Sequence, residues 1–337
     1  MDKIILLHQK IAPEIIPVIL VRYQVLRTIR FLQPIGRRSL AEHLHLQERR
    51  IRNEIDFLKE QKLVEALAAG MRVTSEGELL LWGMEDYIRE IQGLSILEQK
   101  IAESFSVEKV KIVPGNADED ENVKKDLARV TAEYLNSHLQ EGAILAVTGG
   151  TTLAEVAAVL SHSATKRNIT VVPARGGLGE EVEIQANTVA ANIAKGLGAS
   201  YRMLHVPDDL QTETIQSIVN EPKIKEVLDM LGKANIVLHG IGSAEEMARR
   251  RGMTPEKIDD LLQKGAVGEA FGYYFDRDGK VIHTTSSVGL QLSDLKHIAE
   301  VVTVVGGKSK GLAVQSVLAN SPRKVLIIDE GVARELV

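Results

Sequence analysis

The 337-residue sequence contains no cysteine. Disulfide bonds, thiolate nucleophiles and cysteine-ligated metal sites are therefore excluded. Long apolar runs are missing too, because Pro13, Glu14 and Pro17 interrupt the apolar start of the chain. The stretches that remain are too short to span a bilayer, and no basic region with a small-residue cleavage site marks a signal peptide. We therefore expect a cytoplasmic protein without a membrane partner.

The formal net charge of −5 does not suggest a nucleic-acid partner, but the charge is unevenly distributed. Positions 22–59 contain four acidic residues and nine basic ones. The basic residues are Arg22, Arg27, Arg30, Arg37, Arg38, Arg49, Arg50, Arg52 and Lys59. A local positive excess inside an acidic chain is the charge pattern that contacts to DNA phosphates require.

Residues 37–63 predict a helix, a turn at His45-Leu46 and a second helix. The faces of the two helices that we expect to be buried consist of Leu40, Ala41, Leu44, Ile51, Ile55 and Leu58. The turn of such a motif usually contains glycine, and histidine is among the residues that tolerate its positive φ. This pattern is typical of a helix-turn-helix.

The face opposite these apolar residues carries side chains suited to the major groove. Arginine can form paired hydrogen bonds with guanine or phosphate, and asparagine or glutamine with adenine. The candidate DNA contacts are Arg37, Arg38, Ser39, Gln47, Arg49, Arg50, Arg52 and Asn53. The alternative is a solvated basic helix on an ordinary helical hairpin.

The flanking segments extend this motif to a winged helix over residues 1–77. An apolar stripe ending before Pro34 supplies a first helix, and residues 64–67 and 71–74 predict a hairpin. Arg72 on that hairpin is either a phosphate contact or a solvated side chain.

Residues 78–106 are predicted to form a connector and dimerisation helix. Ser75 and Glu78 form an S-x-x-E capping box that would open it. Coiled-coil spacing then relates Leu80, Met84, Tyr87, Ile91 and Leu94. Helix-turn-helix proteins usually bind two half-sites, which favours a homodimer or homotetramer. Packing of this helix on its own domain is the open alternative.

From residue 107 to 337 apolar β-type runs alternate with helical segments. This alternation predicts a doubly wound, mostly parallel, Rossmann-like α/β domain. The predicted strands are Val110–Val113, Ala143–Val147, Ile169–Val172, Ile236–Leu238, Val301–Val305 and Val325–Ile328. Ligands of such sheets bind beyond the carboxyl ends of the strands.

One of these strand ends has the composition of a phosphate site. Residues 146–152 end a predicted strand, begin a helix and contain Gly149, Gly150, Thr151 and Thr152. Glycines let the backbone approach an anion, and a helix N-terminus offers free N–H groups and a positive dipole end. Glycine-rich strand ends also serve simply as turns.

Other strand ends supply charged and polar groups. The guanidinium of Arg175 suits two-pronged phosphate binding, and Lys310 is the preferred second anion contact. The Gly-Lys pair at 307–308 is not a nucleotide P-loop, because Val302 stands where that motif needs glycine. The remaining candidates are Gln185, Glu269 and Arg250 from the cluster at 249–251. Together these groups describe a pocket for a phosphorylated, hydroxyl-rich small molecule.

With these motifs assembled, the chain resembles the SorC-type bacterial sugar-responsive transcriptional regulators, and within them the regulators of glycolytic genes. The resemblance covers essentially the whole chain. It implies a repressor of a glycolytic operon, without catalytic activity or cofactor, whose effector domain is similar to sugar-phosphate isomerases and deaminases. The implied inducer is fructose 1,6-bisphosphate. The implied ligand contacts are Gly149, Gly150, Thr151, Thr152, Arg175, Gln185, Arg250, Glu269 and Lys310.

The competing hypothesis is an active sugar-phosphate isomerase or deaminase with a DNA-binding appendage. That chemistry needs a general base beside the sugar, for which Glu269, His239 and Asp329 are the candidates. None of the three lies in a recognisable acid–base motif.

Overall fold

The computed structural model describes residues 5, 7, 10–160, 168–177, 181–207, 212–320 and 325–337. The chain divides into two compact units, Met1–Ser95 and Ile96–Val337. Among the described residues, no helix is both long and apolar enough to cross a bilayer.

The first unit is the predicted winged helix. Its elements are helices α1 (Ile15–Leu32), α2 (Arg37–His43) and α3 (Glu48–Glu60), strands β1 (Val64–Leu67) and β2 (Gly70–Val73), and helix α4 (Ser75–Ile91). Strands β1 and β2 pair antiparallel, with Glu65 opposite Arg72.

A small apolar core holds the three helices together. Ile29 of α1, Leu40 of α2 and Ile51 and Ile55 of α3 are all 0 % exposed. These residues occupy the faces that the apolar spacing predicts to be buried. His45 adopts φ +51° in the turn between α2 and α3, which confirms that histidine replaces the usual glycine there.

The cap of α4 differs from the prediction. Thr74, not Ser75, is the N-cap, and its hydroxyl accepts a hydrogen bond from the backbone N–H of Gly77 at 3.1 Å. Glu78 does not close a capping box but forms an ion pair with Arg30 at 3.0 Å. Two neighbouring hydroxyl residues compete for one cap here, and the wing ends one residue earlier than expected.

The single connector helix predicted over residues 78–106 is wrong. Helix α4 ends at Ile91, Gly93 adopts φ +69°, and a second helix, α5 (Leu94–Phe105), begins after it. The seam predicted from Leu80 to Leu94 is therefore not continuous on one helix. Pairing of this segment with a second chain stays a prediction.

The second unit contains a seven-stranded parallel sheet in the order β3-β13-β12-β7-β4-β5-β6. Its strands are β3 (Lys109–Val113), β4 (Ile144–Val147), β5 (Thr170–Pro173), β6 (Ser200–Tyr201), β7 (Ile236–His239), β12 (Glu300–Val305) and β13 (Val325–Asp329). All six predicted strands are confirmed, and only the two-residue β6 is additional.

Helices join the strands of this sheet, as the alternating pattern predicts. They are α6 (Asn122–His138), α7 (Thr151–Leu160), α8 (Ala186–Leu197), α9 (Thr212–Ile218), α10 (Pro222–Leu231), α13 (Gly311–Asn320) and α14 (Glu330–Glu335). Strand residues such as Leu145 and Leu238 are 0 % exposed and belong to the same buried cluster as Leu127 of α6 and Val156 of α7. Burial of these apolar side chains fixes the strand ends, and with them the loops that follow.

A second, antiparallel sheet of four strands was not predicted. Its strands are β8 (Gly242–Ser243), β9 (Gly268–Ala270), β10 (Tyr273–Phe275) and β11 (Val281–Thr284), with helices α11 (Ala244–Arg250) and α12 (Pro255–Gln263) between β8 and β9. Ala248, Ile258, Leu261 and Tyr274 form its buried cluster. Strand β9 of this sheet carries Glu269, and the end of α11 carries the arginines at 249–251.

Candidate functional site

A pocket of about 150 Å³ opens at the carboxyl ends of the parallel strands. Loops after β4, β5, β7 and β12 form its walls, where the fold class places ligands. Every residue predicted to contact the effector lines this one pocket: Gly149, Gly150, Thr151, Thr152, Arg175, Gln185, Arg250, Glu269 and Lys310.

The segment before α7 forms one wall of the pocket. A short 3₁₀ turn, Val182–Ile184, lies against it, and the N–H of Gly150 donates to the carbonyl oxygen of Ile184 at 2.8 Å. A Cβ at Gly149 would overlap that oxygen, so only glycine permits this approach. The first-turn N–H groups of α7, including those of Thr151 and Thr152, have no intrahelical acceptor. This wall offers backbone donors and a positive dipole end to an anion.

Lys310 is the lysine that faces the pocket. It ends the short 3₁₀ turn Lys308–Lys310, lines the cavity and has no ion-pair partner among the described residues. Lys308 does not line the cavity; its side chain is 62 % exposed and lies 3.5 Å from a carboxylate oxygen of Glu335. The preference for Lys310 over Lys308 therefore agrees with the geometry.

Arg250 reaches the pocket from the end of α11. Its guanidinium lies 3.4 Å from a carboxylate oxygen of Glu246, four residues earlier on the same helix, and Glu246 also lines the cavity. The side chain of Arg250 is 27 % exposed, so this ion pair is partly solvated. A bound phosphate would compete with Glu246 for Arg250.

Glu269 is held rigidly beneath the pocket. A two-residue turn joins β9 to β10, with Phe271 at φ +54° and Gly272 at φ +84°, the backbone of a type I′ hairpin. The Gly272 N–H donates to Oε1 of Glu269 at 2.5 Å, and Arg251 and Arg175 donate to the same oxygen at 2.7 and 3.5 Å. Glu269 is 4 % exposed. Charge-assisted bonds of this kind fix the plane of a carboxylate.

The other two candidate bases are occupied elsewhere. The Nδ1 of His239 donates to the Gly240 carbonyl oxygen at 2.9 Å, and its Nε2 pairs with the Thr303 hydroxyl at 2.8 Å. Asp329 accepts from three backbone N–H groups, and burial raises the pKa of its carboxyl group. Neither residue lines the cavity. The hydrogen bonds of His239 and Asp329 are structural, and neither side chain lies where a substrate would bind.

Sequence reasoning missed several residues of the pocket. Glu181, Glu246, Met247 and Phe271 all line it. Phe-Gly between two short strands is a weak hairpin signal, because type I′ turns favour Asn-Gly or Asp-Gly. Glu246 lies one helical turn before Arg250, and that i, i+4 spacing was available as a signal.

The candidate DNA face is exposed in the first unit. Arg37, Arg38, Ser39, Gln47, Arg49, Arg50, Arg52 and Asn53 are all exposed. Two other arginines of this region form partly buried ion pairs, Arg22 with Glu54 at 2.9 Å and Arg30 with Glu78 at 3.0 Å. On the wing, Arg72 lies 3.8 Å from Glu65, but its side chain is 60 % exposed and this pair is solvated. The exposed positive charge therefore lies mainly on α2 and α3, with Arg72 on the wing beside it in sequence.

Comparison with known families identifies both units. Residues 18–88 match the family model of the CggR N-terminal DNA binding domain, and residues 89–337 match that of a sugar-binding domain. A central glycolytic genes regulator of Priestia megaterium is 44 % identical over 338 residues, covering 100 % of this chain and 99 % of the relative. The chain belongs to this family of SorC-type regulators.

Further members of the SorC type support this assignment. The central glycolytic genes regulator of Bacillus subtilis is 40 % identical over 100 % of this chain and 99 % of its own length. The structure of a transcriptional regulator of Enterococcus faecalis assigned to the SorC family has a TM-score of 0.65 and 40 % identity, covering 71 % of this chain and 98 % of that one. The full-length sorbitol operon regulator SorC of Klebsiella pneumoniae, at 18 % identity and a TM-score of 0.66, covers 93 % and 97 % and shows the common fold.

Membership of the SorC type decides between the two functional hypotheses. These relatives and structural neighbours are transcriptional regulators and not enzymes. The chain is therefore a DNA-binding regulator with a sugar-binding domain, and the isomerase or deaminase alternative is not supported.

Proposed function

We propose that the protein represses a glycolytic operon and that fructose 1,6-bisphosphate, bound in the pocket of the second unit, relieves the repression. Two curated relatives of full length are each described as a central glycolytic genes regulator, which supports the choice of operon. The proposed function uses this sugar as an effector and involves no cofactor.

The observation that carries the proposal is the chemistry of the pocket. The N-terminus of α7, Lys310 and Arg250 all line it, and each is suited to an anionic group. Glu269 lies in the same pocket and presents a carboxylate to sugar hydroxyls. A bisphosphorylated sugar has both anionic groups and hydroxyls, which suits a pocket that contains both anion donors and a carboxylate acceptor.

Operator DNA is proposed to lie against α2 and α3. Arg49, Arg50, Arg52 and Asn53 would contact base edges and phosphates from α3, and Arg37 and Arg38 would contact the backbone from α2. We propose a homodimer or homotetramer, because helix-turn-helix proteins usually read two half-sites. Multi-angle light scattering with and without operator measures this assembly state.

Induction requires that the sugar bind more tightly to the arrangement of low operator affinity. A coupling free energy of about 1–3 kcal/mol is typical of allosteric proteins and corresponds to roughly 5- to 150-fold in affinity. By linkage, operator DNA must weaken sugar binding by the same factor.

The test is an anisotropy titration of labelled operator at fixed salt, because salt alone changes protein–DNA affinity strongly. Fructose 1,6-bisphosphate should weaken operator binding or its cooperativity, and fructose 6-phosphate, which lacks one phosphate, should act less strongly at equal concentration. Heat protection of the free protein by the same sugars should follow the same order. Identical titrations with and without all glycolytic phosphates would contradict the proposal.

A further inference from the structure

Arg251 lies behind the pocket and not in its wall. Its side chain is 2 % exposed, and Nη2 donates to Oε1 of Glu269 at 2.7 Å. Helix α11 ends at Arg250, which lines the pocket, and Arg251 is the C-cap residue that follows. The end of the helix thus directs two successive arginines to different groups.

The two oxygens of Glu269 have different surroundings. Oε1 accepts from the Gly272 N–H, from Arg251 and from Arg175. Oε2 accepts from none of the described residues, and it is not among the buried side-chain atoms that lack a partner. Because Glu269 lines the cavity, Oε2 is the oxygen available to a bound molecule.

We infer that Arg251 is a positioning residue for the sugar: by fixing Oε1 of Glu269 it directs Oε2 at a sugar hydroxyl. This inference rests on the proposed function, since it assumes that the pocket binds a hydroxyl-bearing phosphorylated ligand. Glu269 then supplies selectivity for the sugar, while the anion contacts supply affinity for phosphate. A site built to bond a hydroxyl rejects analogues that lack it, because its buried polar group is left unpaired.

The surroundings of Arg251 suit this role. Tyr274 lies directly across from Glu269 in the hairpin register and is 0 % exposed, so it shields the pair from water. Burial raises the pKa of Tyr274 to about 12, and its phenol therefore stays neutral beside the ion pair. Arginine and not lysine is required, because a planar guanidinium holds its donors in a fixed direction.

A purely structural role for Arg251 predicts a different outcome. If the ion pair only stabilised the hairpin, its loss would weaken all ligands of the pocket together. A positioning role weakens only ligands that use Glu269. The useful measurement is therefore the ratio of two dissociation constants, not either constant alone.

The experiment uses the full-length protein and two ligands, fructose 1,6-bisphosphate and 1,6-hexanediol bisphosphate, which has two phosphates but no hydroxyls. Isothermal titration calorimetry is run on the wild type and on Arg251→Lys, Arg251→Met, Glu269→Gln and the double variant Arg251→Lys/Glu269→Gln. Arg249→Lys is the matched control, because Arg249 is 68 % exposed and pairs with Glu245 on the surface. Arg251→Lys retains the buried charge and remains informative if Arg251→Met fails to fold.

Arg251→Lys should raise the Kd of the sugar about tenfold, as expected for loss of a hydrogen bond involving a charged group. The Kd of the diol bisphosphate should change by less than about twofold, and Arg249→Lys should change neither. The double variant should bind the sugar no more weakly than Glu269→Gln alone. Equal losses for both ligands, or no loss for either, overturn the inference while leaving the proposed function intact. A wild type that binds neither sugar phosphate nor diol overturns both.

Discussion

Gly149 provides a direct test of how the pocket wall is held. A Cβ at this position would overlap the carbonyl oxygen of Ile184 and lie 3.0 Å from the backbone nitrogen of Ala186. Gly149→Ala therefore forces the 3₁₀ turn away from α7. The hydrogen bond from Gly150 to Ile184 is lost or lengthened, which costs about 0.5–1.5 kcal/mol.

The backbone shift adds to this loss. Inserting one extra carbon into a packed site typically costs about 1–3 kcal/mol. We expect the two effects together to lower the free energy of unfolding of the second unit by about 1.5–4.5 kcal/mol and its Tm by roughly 3–18 °C. Ligand protection should fall as well, because both displaced segments line the pocket.

The assay is differential scanning calorimetry with and without fructose 1,6-bisphosphate. Gly240→Ala is the control for unfolding, since its Cβ would meet its nearest neighbour, the carbonyl oxygen of Val304, at an ordinary 3.6 Å. That variant should melt within about 2 °C of the wild type, as most changes without a clash do. If Gly149→Ala melted as the wild type does and kept its full ligand protection, the close approach would not hold this wall.

Three further predictions follow from the same geometry. Arg50→Ala removes an exposed cation of α3 and should weaken operator binding by about 1–3 kcal/mol, measured by anisotropy. Glu246→Gln releases Arg250 from an ion pair worth about 0.3–0.5 kcal/mol and should tighten sugar-phosphate binding about twofold, measured by calorimetry. Asp329→Asn leaves at least one buried N–H without an acceptor and should lower the free energy of unfolding by about 1–3 kcal/mol. Burial raises the pKa of the Asp329 carboxyl group above its ordinary value of 3.8. Between these two pKa values Asp329 is protonated in the folded protein and ionised in the unfolded chain. The wild-type contribution of this group to stability therefore falls as pH rises from 3.8, and the asparagine variant lacks that fall.

Each of these predictions has a contrary result. Unchanged operator affinity in Arg50→Ala, with Arg249→Ala as the distant control, would remove Arg50 from the DNA contacts. Weaker sugar binding in Glu246→Gln would mean that Glu246 itself serves the ligand. If the free energy of unfolding of Asp329→Asn in urea depended on pH as that of the wild type does, this pH dependence would come from groups other than Asp329.

Long, fully buried elements were predictable from the sequence. Five of the six strands found by their apolar runs are buried on both faces of the sheet, so their apolar residues form continuous stretches. The sixth, β3, lies at the sheet edge and is fully buried only at Ile112 and Val113. Strand β6 has only two residues, both exposed, and offers no such signal. The antiparallel sheet was not predicted for a related reason, because its strands have only two to four residues each.

Local choices between similar neighbours were not predictable. Thr74 and Ser75 both carry a capping hydroxyl, and only the position of the wing decides between them. The apolar spacing across Gly93 is that of one helix, yet glycine permits the positive φ that ends it.

The candidate pocket followed from the fold class, because glycine-rich strand ends meet at one edge of a parallel sheet. The roles of the individual arginines at 249–251 did not follow from the fold class. Helix α11 ends at Arg250, and Gly252, at φ +66° just after the C-cap residue Arg251, is a local signal for that end. The glycine does not state which of the three arginines then reaches solvent, the pocket or Glu269.

The position of β13 has a consequence for the order in which the protein matures. This strand is synthesised more than two hundred residues after β3, yet it lies between β3 and β12 in the sheet, and Asp329 at its end accepts a hydrogen bond from the N–H of Gly307 next to the Lys308–Lys310 turn. Among the described residues β3 pairs with β13 alone, so on the ribosome it has no neighbouring strand until β13 has emerged. The DNA-binding half is complete in sequence more than two hundred residues earlier. A chain that stops before β13 would therefore carry the candidate DNA-binding surface without a complete sugar-binding domain.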